Sequence, residues 1–328
     1  MIIPIYKSIQ FHQKFLIERS LPSKGKIMSV EGTNINPWDR LGFCRTSNKE
    51  IIIPKDYKIQ KKFFGKNFVK SGELIGRKKN NYLFSTFDGF IQNRGPVNVV
   101  ISYPQDVFKV SGVFGKVVNV ASSNSVLIET SGYELKFVAT STSSTEGQIV
   151  VLPNPSEILQ VEFLNKYVKE GIGSIIYIGD YLRLEVLNKA IEIGCSGVIC
   201  GSCDREVLNY AKENNFFVGL LSGFGRIPTH SKTYSLLKSK DRQFGIVQEE
   251  SNSIFISVNG EDLTEVSFEL NTQSFLNTSK GLNVIVIDYP FYGWEGEVVE
   301  ISDTEILVRL VANGEVIKTN IFGIIALP

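Results

Sequence analysis

The chain has 328 residues, of which 43% are hydrophobic and 21% are charged. These values are typical of a globular protein, and no run of residues approaches the ~18 apolar positions that a membrane-spanning helix needs. The opening residues lack the basic start and long apolar core of a signal peptide, so the sequence predicts a cytoplasmic protein. Four cysteines, three of them clustered, do not form the pattern of a secreted disulfide framework.

The net charge of +1 conceals an uneven distribution of charged residues. Residues 1–79 contain 17 Lys and Arg against 6 Asp and Glu, whereas residues 246–328 contain 3 against 13. The windows 80–150 and 151–245 are close to neutral, with 4 against 5 and 11 against 10. A basic first region and an acidic last region predict association by charge, with a protein partner or with another copy of the chain.

Residues 1–96 contain short apolar runs between turn residues and predict a basic β domain, with no helical stripe beyond the opening residues. Within it, "FVKSGELIGRKKNNYLFSTFDGFIQNRG" resembles a biotinyl/lipoyl-like hybrid barrel. The matching positions are Val69, Gly72, Ile75, Gly89 and Ile91. A carrier domain of that family presents one modified lysine at a hairpin tip, beside Met or Asp. Lys78 and Lys79 lack those neighbours, which favours a solvated basic turn and no cofactor.

Residues 97–154 predict a second small β-barrel module, from β-branched runs such as "VNVVISY", "FGKVVNVA", "NSVLIETSG", "YELKFVAT" and "GQIVVLP". This module contains "SGVFGKVVNV" at 111–120, and a similar pattern, "YGWEGEVVEI", occurs at 292–301. Both have Gly-x-x-Gly, a charged residue and Val-Val. We interpret the repeated pattern as a unit that builds barrels, and not as a nucleic-acid signature.

Residues 155–248 predict an α/β domain with a parallel sheet. Ser156 is a plausible N-cap for a first helix. The following sequence alternates between strands that are apolar throughout and amphipathic helices. The strands are "GSIIYIG", "SGVICGS" and "FFVGLLSGFG", and the helices "LRLEVLNKAIEIG", "DREVLNYAKENN" and "PTHSKTYSLLKS". Helices should cover both faces of the sheet, and the loops after the three strands should meet at one edge.

Residues 249–328 predict an acidic β domain that resembles the KOW module, an SH3-like barrel found in transcription-elongation and ribosomal proteins. The matching positions are Gly281, Val284, Ile287, Gly293, Gly296, Val298, Asn320 and Ile324. The order of the four regions also resembles a bacterial family in which a strand ending in Gly-Phe-Gly precedes the final barrel. The predicted fold class is therefore multidomain and mainly β, with small β-barrels flanking one parallel-sheet α/β domain.

Three cysteines give the sharpest chemical signal. Cys200 and Cys203 form Cys-x-x-Cys where a predicted strand meets a helix, and Cys195 precedes them. A helix N-terminus lowers a thiol pKa, so a redox pair is one interpretation, and a metal site would need a further ligand. The alternative, which we favour, is a tight strand end with buried thiols and no metal.

A second candidate is the loop "SGFGRIPTH", where Gly223, Gly225 and Arg226 could hold an anion through backbone amides and a guanidinium. The loop lacks the phosphate-binding lysine and the full dinucleotide fingerprint, which favours a plain turn. His230 is expected to be solvated near a helix start. Asp180 follows a parallel strand, where α/β enzymes place catalytic groups, but nothing in the sequence joins it to a nucleophile.

The third candidate is a basic surface for nucleic acid or an acidic partner. The acidic C-terminal region would repel phosphate, and Trp294 and Tyr292 are interpreted there as packing residues. The basic region interleaves lysines that could contact phosphate with Tyr57, Phe63 and Phe64, which would pack or stack. Its basic residues are Lys55, Lys58, Lys61, Lys62, Lys66, Lys70, Arg77, Lys78 and Lys79.

Three functions follow from the sequence. The leading one is a non-enzymatic interaction or scaffold protein of a cytoplasmic assembly, which associates through its basic and acidic β domains. The first alternative is a nucleic-acid-associated factor that uses the basic N-terminal barrel. The second is a redox or small-ligand enzyme at the Cys-x-x-Cys and Gly-Phe-Gly loops.

Overall fold

The computed structural model describes most of the chain. The described residues are 2–4, 8–47, 50–63, 67–79, 81–94, 97–141, 144–152, 160–166, 173–248, 250–259, 275–302 and 304–327. Strands predominate in several sheets, which confirms the prediction of a mainly β protein with more than one sheet. Among the described helices, none has the length and apolar character needed to cross a membrane.

The first half of the chain is built of strands, with a short 3-10 helix at Lys61–Phe63. The strands are β1 (Ile2–Pro4), β2 (Ile9–Ser20), β3 (Gly25–Ile27), β4 (Asn34–Ile35), β5 (Arg40–Thr46), β6 (Glu50–Ile53), β7 (Lys58–Ile59), β8 (Phe68–Val69), β9 (Leu74–Lys78), β10 (Asn81–Phe84), β11 (Gly89–Arg94), β12 (Val97–Ser102), β13 (Gln105–Val110), β14 (Gly115–Asn119), β15 (Ser125–Lys136), β16 (Ala139–Thr140) and β17 (Glu146–Val151).

The second half contains the helices. The elements are α1 (Gln160–Lys166), β18 (Ile175–Tyr177), β19 (Tyr181–Leu182), α2 (Leu184–Glu192), β20 (Gly197–Cys203), α3 (Arg205–Glu213), β21 (Phe217–Phe224), α4 (Ser231–Ser239), β22 (Phe244–Gln248), β23 (Ser253–Ser257), β24 (Phe275–Asn277), β25 (Asn283–Val286), β26 (Glu295–Ile301), β27 (Ile306–Leu310), β28 (Val316–Thr319), a 3-10 helix (Ile321–Gly323) and β29 (Ile324–Ala326). The predicted N-cap Ser156 lies outside the described residues.

The chain divides into two compact units. The β unit comprises residues 16–111 and 116–128, and the α/β unit comprises residues 1–15, 112–115 and 129–328. Strand pairing crosses all three predicted domain boundaries, because β12 pairs with β6, β17 pairs with β18 and β22 pairs with β23. Whether the four predicted ranges fold as separate domains stays a prediction.

Within the β unit, three small sheets have the strand orders β10-β9-β7, β6-β12-β11-β8 and β13-β5-β3. One hydrophobic cluster contains residues of the first two sheets, and its buried members are Ile53, Phe63, Val69, Ile75, Ile91 and Val100. Side chains alternate between the two faces of a sheet along each of these short strands, so every second residue faces this core. The apolar positions of the hybrid-barrel resemblance, Val69, Ile75 and Ile91, all lie in it.

Within the α/β unit, β17, β18, β20 and β21 form a parallel sheet, and β19 pairs with the end of β20. All seven residues of β20 are buried, as expected for a strand covered on both faces. One hydrophobic cluster packs residues of α2 and α3 against the sheet, and a second includes Leu237 of α4. Three neighbouring parallel strands therefore end at one edge of the sheet.

The C-terminal part of the α/β unit is an antiparallel sheet with the strand order β28-β27-β26-β25-β29. Its core includes Val284, Val298 and Ile324, and Ile3 of β1 packs into the same cluster. β1 also pairs with β24, so the first described residues lie with the last ones. The sequence did not predict this placement, since these opening residues were expected in the first β domain.

Candidate functional site

The loops after β18, β20 and β21 lie side by side at the carboxyl edge of the parallel sheet. The Gly201 amide donates to the Gly179 carbonyl (3.0 Å), and the Gly225 amide donates to the Cys203 carbonyl (3.1 Å). This is the edge at which open α/β sheets bind ligands. Both the Cys-x-x-Cys at the end of β20 and the glycine loop after β21 therefore lie at this edge of the sheet.

Polar side chains at this edge are engaged in holding the loops together. The Ser202 hydroxyl donates to the Ile227 carbonyl (2.9 Å) and accepts from the Ile227 amide (3.0 Å). The Asp180 carboxylate accepts from the Thr229 amide (2.8 Å), and the Tyr177 hydroxyl donates to the Thr229 hydroxyl (2.9 Å). Asp180 thus fixes a loop, and this arrangement offers no activated nucleophile.

The three clustered cysteines are free and buried. Burial raises the pKa of Cys195 and of Cys203 to about 12, and it also raises the pKa of Cys200. A strand irregularity between Cys200 and Ser202 places Cys200 and Cys203 in the same hydrophobic cluster. Burial therefore disfavours the thiolate form, and the thiols are buried as in the interpretation that we favoured from the sequence. No group of described residues could hold a metal ion.

The residues of the candidate anion loop differ in exposure. Gly223 is buried and Arg226 is exposed, with its guanidinium carbon 5.2 Å from the ring centroid of Tyr181. The Tyr181 hydroxyl donates to Asp204 (2.6 Å), and burial, together with this carboxylate, raises the Tyr181 pKa to about 12. Because Asp204 contributes a negative charge here, the arrangement does not favour an anion, and binding at this loop stays a prediction.

His230 lies at the start of α4 and is buried, so the expectation of a solvated histidine was wrong. Its Nδ1 is 3.2 Å from Oε1 of Glu295. Glu295 also accepts from the Ser231 amide (2.6 Å) and the Ser231 hydroxyl (3.0 Å). Burial raises the pKa of Glu295, but the hydrogen bonds from His230 and Ser231 outweigh it, and the pKa is lowered. A carboxylate from β26 thus caps α4, which explains these three residues structurally.

A basic and aromatic face is exposed on the β10-β9-β7 sheet of the β unit. Lys58, Arg77 and Tyr82 are cross-strand neighbours, and all three are exposed. Cross-strand neighbours share a face of the sheet, so they form one row. Phe84 stands two residues beyond Tyr82, with the ring centroids 6.5 Å apart. Tyr82 is 57% exposed and Phe84 is 51% exposed.

The structure places the predicted basic residues at the surface, with one outside its described range. Lys55, Lys58, Lys61, Lys62, Lys70, Arg77, Lys78 and Lys79 are exposed, and Lys66 lies outside the described residues. Lys62 pairs with Glu73 (2.5 Å), and Lys78 pairs with Asp56. Lys58 and Arg77 have no carboxylate partner among the described residues.

Of the three aromatic residues predicted to pack or stack beside the lysines, the two that the structure describes pack against the core. Phe63 is buried, Tyr57 is half-buried against the same core, and Phe64 lies outside the described residues. Tyr82 and Phe84 take their place, and the sequence analysis missed them. The signal was the run "NYLF" directly after the basic turn, in which alternate residues of a short strand point the same way.

A second basic and aromatic row crosses the β13-β5-β3 sheet. Lys26, Phe43 and Phe108 are cross-strand neighbours, and the two rings are 6.0 Å apart. The guanidinium carbon of Arg40 lies 4.3 Å from the Phe108 ring centroid. Phe108 is 47% exposed, so two sheets of the β unit present the same chemistry.

The acidic C-terminal sheet exposes Glu297 and Glu300 on β26. Trp294 packs against Phe291 at the core, as predicted, but Tyr292 is largely exposed, so its assignment to packing was wrong. Tyr289 is 94% exposed and Phe322 is 85% exposed. The C-terminal region therefore combines exposed carboxylates with exposed aromatic rings.

A scan of the chain against protein-family models found no match, and a search of curated proteins also found none.

Proposed function

We propose that the protein is a non-enzymatic interaction or scaffold protein, which associates through its basic β region and its acidic C-terminal β region. The observation that carries the proposal is the row of Lys58, Arg77 and Tyr82, exposed on one sheet face. Exposed cations beside exposed rings contribute little to a fold, whereas arginine and aromatic residues are enriched at binding surfaces. The acidic face with Glu297 and Glu300 has the opposite charge.

The state of the polar groups in the α/β unit also supports a non-enzymatic role. The thiols carry raised pKa values, and Ser202, Asp180 and Glu295 are engaged in hydrogen bonds between neighbouring segments. A nucleophile or general base needs a pKa suited to its task and a path to a substrate. The buried thiols have neither feature, and Ser202, Asp180 and Glu295 stabilise loops and a helix end.

We further propose that the C-terminal sheet is an SH3-like barrel of the KOW type and that residues 1–96 include a hybrid barrel. Five antiparallel strands surround a core with Val284, Val298 and Ile324, which occupy positions of the KOW pattern. In the proposed hybrid barrel, Val69 pairs with Gly89 across β8 and β11. Neither fold by itself implies a chemical activity, which is compatible with the scaffold role.

The proposal is tested by sedimentation of the full chain between about 50 mM and about 1 M salt, because screening weakens charge-driven association. We expect a larger species, formed by the chain alone or with a partner, that dissociates as salt rises. Lys58→Glu with Arg77→Glu should abolish it, whereas the control Lys232→Glu with Lys238→Glu, on exposed positions of α4, should not. An unchanged monomer at every salt concentration, with no partner bound, would contradict the proposal.

Self-association is tested separately by cross-linking a mixture of heavy- and light-labelled chains. We expect Lys61 or Lys62 of one chain to link to Glu297 or Glu300 of a differently labelled chain, because these residues are exposed and opposite in charge. Cross-links confined to single chains would show that copies of the chain do not assemble head to tail.

A further inference from the structure

We propose that the exposed face of the β10-β9-β7 sheet binds single-stranded nucleic acid, with Tyr82 and Phe84 stacking on bases and Lys58 and Arg77 contacting phosphates. This inference rests on the proposed function, because it names the class of partner that the basic β region takes. The protein would then connect a nucleic acid at its basic region with a second partner at its acidic end.

The register of the sheet places the four side chains together. Tyr82 is opposite Arg77, and Arg77 is opposite Lys58, so ring, guanidinium and ammonium follow one another across three strands. The inward neighbours of this row, Ile59, Gly76 and Leu83, pair with one another in the same register. Because Ile59 and Leu83 pack against the core, the row itself must face outward.

The two rings are arranged as independent stacking platforms. Their centroids are 6.5 Å apart and their planes are inclined by 39°, so neither ring covers the other. Each is more than half exposed although both are large apolar groups. Stacking of a base on an aromatic ring contributes about 1–3 kcal/mol and does not depend on the sequence of the nucleic acid.

The charges beside the rings suit a phosphate backbone. Asp56 and Glu73 are each paired with a lysine, which leaves Lys58 and Arg77 with no carboxylate partner among the described residues. Lys55, Lys61, Lys70 and Lys79 add exposed positive charge along the same part of the chain. Such a surface can contact successive phosphates of a single-stranded nucleic acid, and binding then releases counterions.

A single strand fits this face better than a duplex or an acidic protein does. In a duplex the bases are stacked on one another and present only their edges, so the faces of the two rings would find no partner. An acidic protein would satisfy the lysines through its carboxylates, whereas a single strand offers a flat base next to every phosphate, which matches the adjacent rings and cations of this face. The second row, with Lys26, Phe43 and Phe108, repeats the combination on another sheet of the β unit.

The test is fluorescence anisotropy of the full chain with labelled oligonucleotides of about 20 nucleotides, long enough for a site of 4–16. The probes are oligo(U), oligo(dT), a DNA duplex of the same length and polyglutamate. We expect oligo(U) or oligo(dT) to bind at least about tenfold more tightly than the duplex or polyglutamate, with a strong dependence on salt. A comparison of the affinities for oligo(U) and oligo(dT) shows whether the surface prefers RNA or DNA.

Two sets of variants separate stacking from charge. Tyr82→Ala and Phe84→Ala should each weaken binding at least about fivefold and leave the salt dependence unchanged, whereas Tyr82→Trp should restore the affinity. Lys58→Ala with Arg77→Ala should reduce the slope of log K against log salt by about 1.4, since each phosphate contact on a single strand contributes ~0.7. Tyr289→Ala with Phe322→Ala is the matched control, because it removes exposed rings from the acidic region.

Three outcomes would overturn the inference. They are equal binding of polyglutamate and oligonucleotides, binding unaffected by Tyr82→Ala and Phe84→Ala, and no binding of either single strand. If single strands fail to bind while salt-sensitive association persists in sedimentation, only the nucleic-acid assignment is wrong. If both fail, the proposed function is wrong as well. A circular dichroism spectrum shared by all variants excludes loss of folding as the cause.

Discussion

At the scale of single residues, Gly293 shows what the repeated Gly-x-x-Gly pattern does. Gly293 has φ +84°, and a Cβ built on it would lie 2.4 Å from Cγ2 of Ile227. Its counterpart in the first copy of the pattern, Gly112, has φ +73°, and its Cβ would lie 2.8 Å from the Phe244 ring. Both copies thus use a left-handed glycine to bring a turn against a large side chain of the α/β unit.

Gly293→Ala should therefore destabilise the protein by about 1–3 kcal/mol, because the new methyl group adds a steric clash to backbone strain. The measurement is the free energy of unfolding from urea denaturation. Gly314→Ala is the matched control, because Gly314 has φ +72° but nothing within 4 Å of a built Cβ. Equal losses in the two variants would show that contact with Ile227 is unimportant.

A second residue-scale prediction concerns the buried carboxylate Glu134. It lies 2.9 Å from Nε2 of His12 and accepts from the Ser253 hydroxyl at 2.8 Å. Burial raises the pKa of Glu134, but hydrogen bonds from His12, Ser253 and Ser251 outweigh burial and lower the pKa. A carboxyl group with a lower pKa in the folded state adds stability above its unfolded pKa of about 4.3, and this stability is lost as pH falls through the folded value.

Glu134→Gln should accordingly reduce the free energy of unfolding at neutral pH, with the difference from the unsubstituted protein shrinking below about pH 4. Urea denaturation at a series of pH values measures this difference. Glu129→Gln, at a partly exposed carboxylate 3.9 Å from Lys14, should have little effect at any pH. A Glu134→Gln difference that is constant with pH would contradict the assignment.

At the scale of elements, β20 shows how a strand can carry Cys-x-x-Cys with both thiols buried. Every residue of this strand is buried, and burial raises the pKa of Cys203 to about 12. We expect all four thiols of the native protein to react with Ellman's reagent far more slowly than those of the unfolded protein, because the thiolate is the reacting species. Thr86→Cys, at an exposed bend, supplies the control for a reactive thiol. Rapid reaction of native Cys200 or Cys203 would revive the redox interpretation.

The elements that could be predicted from the sequence are those with local signals. β18, β20 and β21 are continuous apolar runs, and α2 to α4 have a period of 3.6, so each was identified and its position followed from parallel topology. β15 was predicted as two strands because Ser131 and Gly132 resemble a turn. It is one strand of 12 residues, and a Cβ on Gly132 would lie 2.3 Å from the Ile256 carbonyl oxygen, so the glycine serves close strand packing.

The candidate surface was predictable only in part, for a physical reason. Positive charge in residues 55–79 follows from composition, since lysines are exposed in nearly every fold. Which aromatic ring is exposed depends on register, and a shift by one residue reverses the face. The register shift between Leu83 and Phe84 decides that Phe84 lies opposite Leu74. The residue pattern of this hairpin does not reveal the shift, and the sequence analysis placed Phe63, which is buried, among the aromatic residues of the surface.

At the scale of the whole molecule, each compact unit is assembled from separated segments of the chain. Residues 112–115 and 1–15 belong to the α/β unit although they adjoin the β unit in sequence. Within the β unit, β5 pairs with β13, and the Val117 amide of β14 donates to the Thr33 carbonyl. The first hundred residues alone therefore lack strands that complete their own sheets.

This arrangement predicts how fragments fold. A fragment of residues 16–128 should unfold cooperatively in urea, because it contains both partners of the β5–β13 pair and the core with Val69 and Ile75. A fragment of residues 1–100 should unfold over a broad range of urea, since β5 would have lost β13 and would expose an unpaired edge. Circular dichroism during urea titration measures both transitions. If the shorter fragment unfolded as sharply as the longer one, the first hundred residues would form a self-sufficient domain, and the pairing of β5 with β13 would add nothing to their stability.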